Sequence, residues 1–472
     1  MPRTPRPARR AGATLLAAGL AGFALAFWGL WRDIGWIAQP FYAYAWWSYI
    51  FLLDGATCLA RGRSLLTTRR HLVPAILLWS VSFWFFFELL NLRFQNWYYV
   101  GVYHAQTLVE FTLVGLFGVV CFATVWAGLF ETYAALAALG IARRSRSRPR
   151  RLKPWVSYAL QGVGAVMVAL AVIWPYSLAP LVWGSLTFLL DPWNYRLGAR
   201  SLLRDVADGR DDVIVRCLAA GLVCGLVWES LNYVAPQQWI YTVRGLEAFK
   251  LFEMPVLGFL GFPALALDSF AAWAAISFWL YGNATWEDAG DGGTALDLDP
   301  RPVTPVRTRA ALLPLHILLW GVVVVFGQTV SLGSFEVRLE DLGRQLPAAV
   351  PDVLRAHGIR RPRQLLNALE EPRRKAALQD VLDFDDDDMS ALLDETRLYT
   401  FKGIGADHGR LLQSMGIERV DQLRDADPES VYAHLRQLRG RHRFPALRLG
   451  MVRVWVTAAR QRGEAQRDAE TT

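Results

Sequence analysis

The chain has 472 residues, of which 53% are hydrophobic and 20 are Trp, and it carries a formal charge of +8. With a positive mean hydropathy of +0.22, this excludes an ordinary soluble enzyme of that size and points to a polytopic membrane protein. The charge does not point to nucleic acid: residues 331–472 hold 23 Lys+Arg and 23 Asp+Glu, leaving 27 against 19 for the apolar part, as basic cytoplasmic loops would give.

After Arg3, Arg6, Arg9 and Arg10 an apolar run from Ala11 to Trp31 is long enough to cross a bilayer. Ala24 to Ala26 offers a signal-cleavage site, but an uncleaved helix is the better reading, because an equivalent run recurs inside the chain at Trp155 to Trp174. Further spans are expected at Tyr42 to Ala60, Leu72 to Leu90 and Gln106 to Phe130. They are followed by Ser177 to Leu190, Ile214 to Tyr233 and Phe252 to Tyr281, with a last one at Ala310 to Thr329.

The spans fall into two copies. Phe87 to Asn91 (FELLN) is matched by Trp228 to Asn232 (WESLN), and Arg63 to Leu66 (RSLL) by Arg200 to Leu203 (RSLL). Asp54 and Asp191 stand 137 apart, Glu88 and Glu229 141, and Glu110 and Glu253 143. Steady offsets over the first two-thirds of the chain mark a tandem duplication. Basic clusters at Arg61 to Arg70, Arg143 to Lys153, Arg196 to Arg210 and Arg301 to Arg309 alternate with four spans per copy and place the N-terminus in the cytoplasm. An even number of spans inserts both copies the same way up, around an axis along the membrane normal.

The fold expected is therefore all-α: two tandem parallel four-helix repeats (residues 11–140 and 155–282), a polar linker (283–309), an extra span (310–330) and a small soluble domain (339–462). The location is the inner membrane of a bacterium. A ninth span puts the tail outside the cytoplasm and a re-entrant one puts it inside, so its side stays open.

Asp54, Glu88, Glu110, Asp191, Glu229 and Glu253 lie within or at the edges of apolar runs. A charge near the bilayer centre costs about 2.5 to 3.5 kcal/mol on insertion scales, so such residues face the protein interior or a water cavity. Glu88 and Asn91, like Glu229 and Asn232, share a helix face at i, i+3. The topology brings Glu88, Glu110, Glu229 and Glu253 with the two carboxamides to the outer half of the membrane. Ion or solute binding and transport is the leading use. Acid-base catalysis on a lipid or isoprenoid substrate and a structural anchor for the tail are the rivals. Glu131 and Asp268 add two unduplicated acids.

Gly115, Gly118, Gly258 and Gly261 suit close helix packing, and Trp97, Tyr98, Tyr99, Trp239 and Tyr241 suit an interfacial aromatic belt. Arg63 and Arg200 mark cytoplasmic ends of spans, with membrane lipids as partners. Cys58, Cys121, Cys217 and Cys224 show no paired spacing, and His71, His104 and His316 form no metal pattern, so neither a metal nor a cofactor is expected. The layout of tandem multi-span units bearing acids is similar to that of membrane-bound carotenoid cyclases, with no site carried over.

In the tail, Phe401 to Leu412 (FKGIGADHGRLL), followed by Met415-Gly416-Ile417 and Val420 to Leu423, resembles a helix-hairpin-helix module. Val353 to Ile359 with Leu365-Leu366 is similar to the degenerate first half of a tandem pair, as in bacterial double helix-hairpin-helix domains of unassigned function. The resemblance implies an interaction hairpin at Lys402, Gly403, Ile404, Gly405 and Arg410. Because Asp407 and the Asp385 to Asp388 run oppose a phosphate, a protein partner or self-association is favoured over nucleic acid.

Overall fold

The computed structural model describes residues 6–103, 105, 107–246, 249–287, 298, 300–342, 349–441 and 445–470. His104, Gln106, Arg443 and residues 288–297 and 299 of the expected linker lie outside them. The chain divides into two compact units. Unit 1 comprises residues 1–94, 109–236 and 251–324, and unit 2 comprises residues 95–108, 237–250 and 325–472.

Unit 1 is helical. Its main elements are α1 (Arg6–Trp31), α2 (Phe41–Arg61), α3 (Val73–Phe94), α4 (Leu108–Phe122), α5 (Thr124–Ala138), α6 (Pro154–Ile173), α7 (Ser185–Leu197), α8 (Leu202–Ala207), α9 (Asp211–Val234), α10 (Gly261–Leu280) and α11 (Leu313–Val330). Among the described residues seven helices are long and apolar enough to cross a membrane. Two of the nine expected spans do not qualify. Helix α2 carries Ser48, Asp54 and Thr57 on a buried surface. The segment expected to span from Ser177 to Leu190 breaks into a helical turn, a 3-10 turn and α7, whose 13 residues fall short of the roughly 20 that a bilayer needs.

Long-range polar contacts explain these interruptions. Gly184 sits at φ +89°, a conformation that favours glycine. Asp268 of α10 accepts the backbone N–H groups of Gly184 (2.8 Å) and Thr187 (2.7 Å), so it caps the start of α7. Likewise α4 and α5 are one apolar stretch broken at Ala123. The Ser80 hydroxyl donates to the Phe122 carbonyl (2.8 Å) and accepts from the Trp126 N–H (3.1 Å), standing in for the helical bond that would join those two groups.

Helices α1 and α2 pack almost backbone to backbone. A Cβ on Gly55 would lie 2.4 Å from the Leu16 nitrogen, and one on Gly164 of α6 only 2.6 Å from the Leu189 nitrogen. Close approach was expected instead at Gly115 and Gly118, but there a Cβ would meet nothing nearer than 4.0 and 3.8 Å. A buried chain of Tyr49 Oη, Thr132 Oγ1 and Cys224 Sγ, at 2.8 and 3.0 Å, ties α2 and α5 to α9.

The basic end of unit 1 is held by ions. Arg200, expected to mark the cytoplasmic end of its span, is buried. Its Nε and Nη2 donate to the two oxygens of Glu287 (2.7 and 3.0 Å), and its Nη1 donates to Asp205 (2.7 Å). Thus the expected linker begins later than Asn283, because Asn283, Trp286 and Glu287 are buried, with Trp286 stacked on Phe130 at 4.2 Å.

Unit 2 contains the two-stranded antiparallel sheet β1 (Trp97–Val100) and β2 (Gln238–Tyr241). Its register pairs Trp97 with Tyr241, Tyr98 with Ile240 and Tyr99 with Trp239. Eight helices follow: α12 (Val350–Ala356), α13 (Pro362–Glu370), α14 (Pro372–Leu382), α15 (Asp386–Thr400), α16 (Gly405–Ser414), α17 (Val420–Arg424), α18 (Pro428–Arg439) and α19 (Leu449–Glu470). Tyr98, Val100 and Ile240 share one core with Leu354, Leu423 and Trp455. The domain is therefore wider than the expected 339–462, and Tyr98 is a core residue rather than part of an aromatic belt.

Candidate functional site

The duplicated acids separate into two classes. Asp54 accepts from the Ser64 hydroxyl (2.7 Å) and the Leu66 N–H (2.7 Å). Asp191 accepts from the Ser201 hydroxyl (3.0 Å) and from the N–H groups of Leu202 (2.8 Å) and Leu203 (2.7 Å). Ser64 and Leu66 fall on Ser201 and Leu203 under the 137-residue offset. Each carboxylate satisfies the open N–H groups at the start of the short helix that the RSLL motif forms, at the positive end of its dipole. This capping accounts for both aspartates in structural terms.

The second class lies on α3 and α9. Glu88, Asn91, Glu229 and Asn232 are buried, as is Glu253 in the tight turn between the short paired strands Lys250–Leu251 and Met254–Pro255. One turn before Glu88, the Trp84 indole N–H donates to its Oε1 at 3.1 Å. The Trp84 ring lies 5.3 Å from that of Trp228, the neighbour of Glu229, and Trp228 also meets Trp46 at 5.4 Å and Phe262 at 6.2 Å. Thus the two copies of the motif meet through aromatic rings, in apolar surroundings that strengthen every polar interaction within them.

Glu110 departs from the expected symmetry. It is half-buried in the first turn of α4, a helix with no buried residue, whereas its counterpart Glu253 is buried. Among the described residues no group of three or more His, Cys, Asp or Glu side chains is placed to hold a metal ion. The expected convergence of four carboxylates on a hard cation is not assembled. Arg93 is exposed and donates to the Val172 carbonyl at 3.3 Å.

The hairpin backbone from Lys402 to Gly405 packs against the rest of unit 2. The Lys402 carbonyl accepts from the Tyr98 hydroxyl (3.0 Å) and the Trp455 indole N–H (3.2 Å). Gly403 has φ +75°, and a Cβ there would lie 2.2 Å from Cγ1 of Val100. Ile404 is fully buried, and Gly405, at φ +71°, lies against Ser334. Arg410 is exposed and pairs with Asp407 at 2.6 Å.

Two polar groupings had no local signature. Arg200 and Glu287 are 87 residues apart, and the Ser82 hydroxyl meets His316 Nδ1 (2.5 Å) across 234 residues. Nothing near either partner in the sequence signals the other.

Residues 345–462 match the family described as Domain of unknown function (DUF4332). No curated protein and no solved structure matches the chain.

Proposed function

We propose that this membrane protein binds a solute or protons at the buried Glu88, Asn91, Glu229, Asn232 and Glu253, and that unit 2 is a docking domain built on the loops that leave the two acid-bearing helices. The observation that carries the reading is the Trp84–Trp228 contact, which joins the two duplicated motifs where their carboxylates and carboxamides are buried. Intramembrane acids of this kind mark proton relays and substrate paths. Asp54 and Asp191 leave the site for their capping role, and Glu110 belongs to its margin.

Two further features support the tandem reading. Under an offset of 142, Trp97 corresponds to Trp239 and Tyr99 to Tyr241, so the observed pairs Trp97–Tyr241 and Tyr99–Trp239 exchange under a twofold through Tyr98–Ile240. In unit 2, Ile359 donates to the Leu354 carbonyl and Ile417 to the Leu412 carbonyl, both at 2.9 Å and 58 residues apart, after glycines at φ +80° and +83°. Gln364 and Gln422, also 58 apart, each accept from the N–H four residues earlier. Two helix-hairpin-helix halves give this pattern. The hairpin at Lys402, Gly403, Ile404 and Gly405 serves the chain's own β1 strand, which favours internal docking over nucleic acid. The loops 95–108 and 237–250 belong to the same unit as the tail, and the positive-inside rule assigns those loops to the outside, which supports a tail outside the cytoplasm.

Thermal-shift measurements on the purified full chain, across pH, cations and small solutes, test the reading against the Glu88→Gln/Glu229→Gln variant. A condition that raises Tm in the wild type but not in the variant is expected. If the variant responds to every condition as the wild type does, the carboxylates are helix locks and the proposal fails.

A further inference from the structure

Unit 1 holds a cavity of about 270 Å³ between α3, α5, α7, α10 and α11. Its walls include Trp79, Phe83, Phe86 and Trp126, and Leu315 at its margin is 64% exposed. The cavity thus opens beside α11, a helix of membrane-spanning length whose flank is mostly uncovered. Acyl chains are the natural surroundings of such a face.

Two polar side chains line this cavity, Ser82 and His316, and His316 is only 5% exposed. Their hydrogen-bond polarity is determined. The Trp320 indole N–H donates to Ser82 Oγ at 2.9 Å. With no other acceptor for it among the described residues, the Ser82 hydroxyl donates to His316 Nδ1. The imidazole is therefore the neutral Nε2–H tautomer, and among the described residues no acceptor meets that N–H. A donor that lines a cavity open to acyl chains and has no partner there is costly. The imidazole is held in place by the edge-to-face contact with Trp79, at 4.6 Å between centroids.

We infer that this cavity is a binding site for the head of a lipid-soluble quinone, a flat ring entering from the acyl-chain layer with one carbonyl oxygen accepting from His316 Nε2–H. The chemistry selects this class. Four aromatic walls favour a flat ring by stacking and edge contacts, and a single fixed donor reads a single acceptor oxygen. An alkyl chain alone leaves that donor unmet. The site is separate from the carboxylates of the proposed function, which lie among Trp84 and Trp228, and it stands or falls without them.

The probe is decylubiquinone, titrated by thermal shift against the full chain in lipid nanodiscs, with decylbenzene as the carbonyl-free control. The wild type is expected to bind the quinone saturably and about fivefold more tightly than His316→Phe, the effect of one neutral hydrogen bond. Decylbenzene is expected to bind both equally. Equal quinone affinity in the two proteins, or equal stabilisation of the wild type by both compounds, overturns the inference and leaves a plain lipid groove. So does a wild type that binds no quinone. If His316→Phe does not fold, the infrared spectrum of carbonyl-labelled quinone on the wild type decides: one carbonyl band displaced to lower frequency supports the assignment, and two coincident bands reject it.

Discussion

Acidification should loosen unit 2 through one residue. His408 of α16 is fully buried, its Nδ1 lies 2.9 Å from the Ile404 carbonyl, and its ring is 5.6 Å from that of Trp455. Burial pushes its imidazole down from 6.5 to about 4, opposed by the bond to Ile404 and by Asp407 and reinforced by Arg439. A histidine lowered in the folded state is protonated first in the unfolded chain. No stability is lost well above pH 6.5, and the loss grows as pH falls from there toward 4. Between pH 7 and pH 5 the linkage amounts to about 1.8 kcal/mol, roughly a twentyfold rise in the open population. Hydrogen exchange of peptides covering α16 and the start of α19, corrected for the intrinsic pH dependence, reads this directly. The wild type should lose protection about twentyfold over that interval, and His408→Gln, which cannot take up the proton, should lose far less. A parallel loss in both proteins would refute the assignment to His408.

Other perturbations give separate readouts. Asp54→Ala and Asp191→Ala should each lower stability by about 2 kcal/mol through lost capping, seen as a fall in Tm with ligand responses unchanged. Arg200→Ala strands buried Glu287 and Asp205 and should cost about 3 to 5 kcal/mol; adding Glu287→Gln should recover part of the lost Tm. Gly403→Ala forces a side chain into φ +75° and against Val100, so unit 2 of the full chain should become sensitive to trypsin. A C-terminal alkaline phosphatase fusion should be active and a green fluorescent protein fusion dark; the reverse pattern would place the tail in the cytoplasm.

Features built from neighbouring residues were legible in the sequence. Asp54 and Asp191 each cap a turn some ten residues away, so the recurrence of Asp and RSLL at a steady offset already marked both carboxylates. The turns at Gly358 and Gly416 are equally local. What the sequence concealed depends on distant partners. Hydrophobicity predicted a span from Ser177 to Leu190, while Asp268, 84 residues beyond Gly184, stabilises the break that ends it. Trp97 to Tyr99 read as an interfacial belt because nothing nearby signals that Lys402 and Trp455 close over Tyr98. The symmetry of Glu110 and Glu253 failed because a steady offset fixes correspondence in sequence but not equal burial.

The sheet of unit 2 bears on how the chain is made. Tyr98 reaches its partner at Lys402 across 304 residues, and Arg448 donates to the Trp97 carbonyl across 351. Such contacts cannot form until the ribosome has passed Arg448 and the apolar helices before it have been made. Until then the strands Trp97–Val100 and Gln238–Tyr241 wait with apolar faces uncovered, and contacts of that sequence separation close slowly. Unit 2 therefore closes after the helices of unit 1 have been synthesised. A chain truncated before Trp455 should insert its helices yet leave those two loops open to proteases and chaperones, so loss of the tail would be felt first as a quality-control defect in the membrane half.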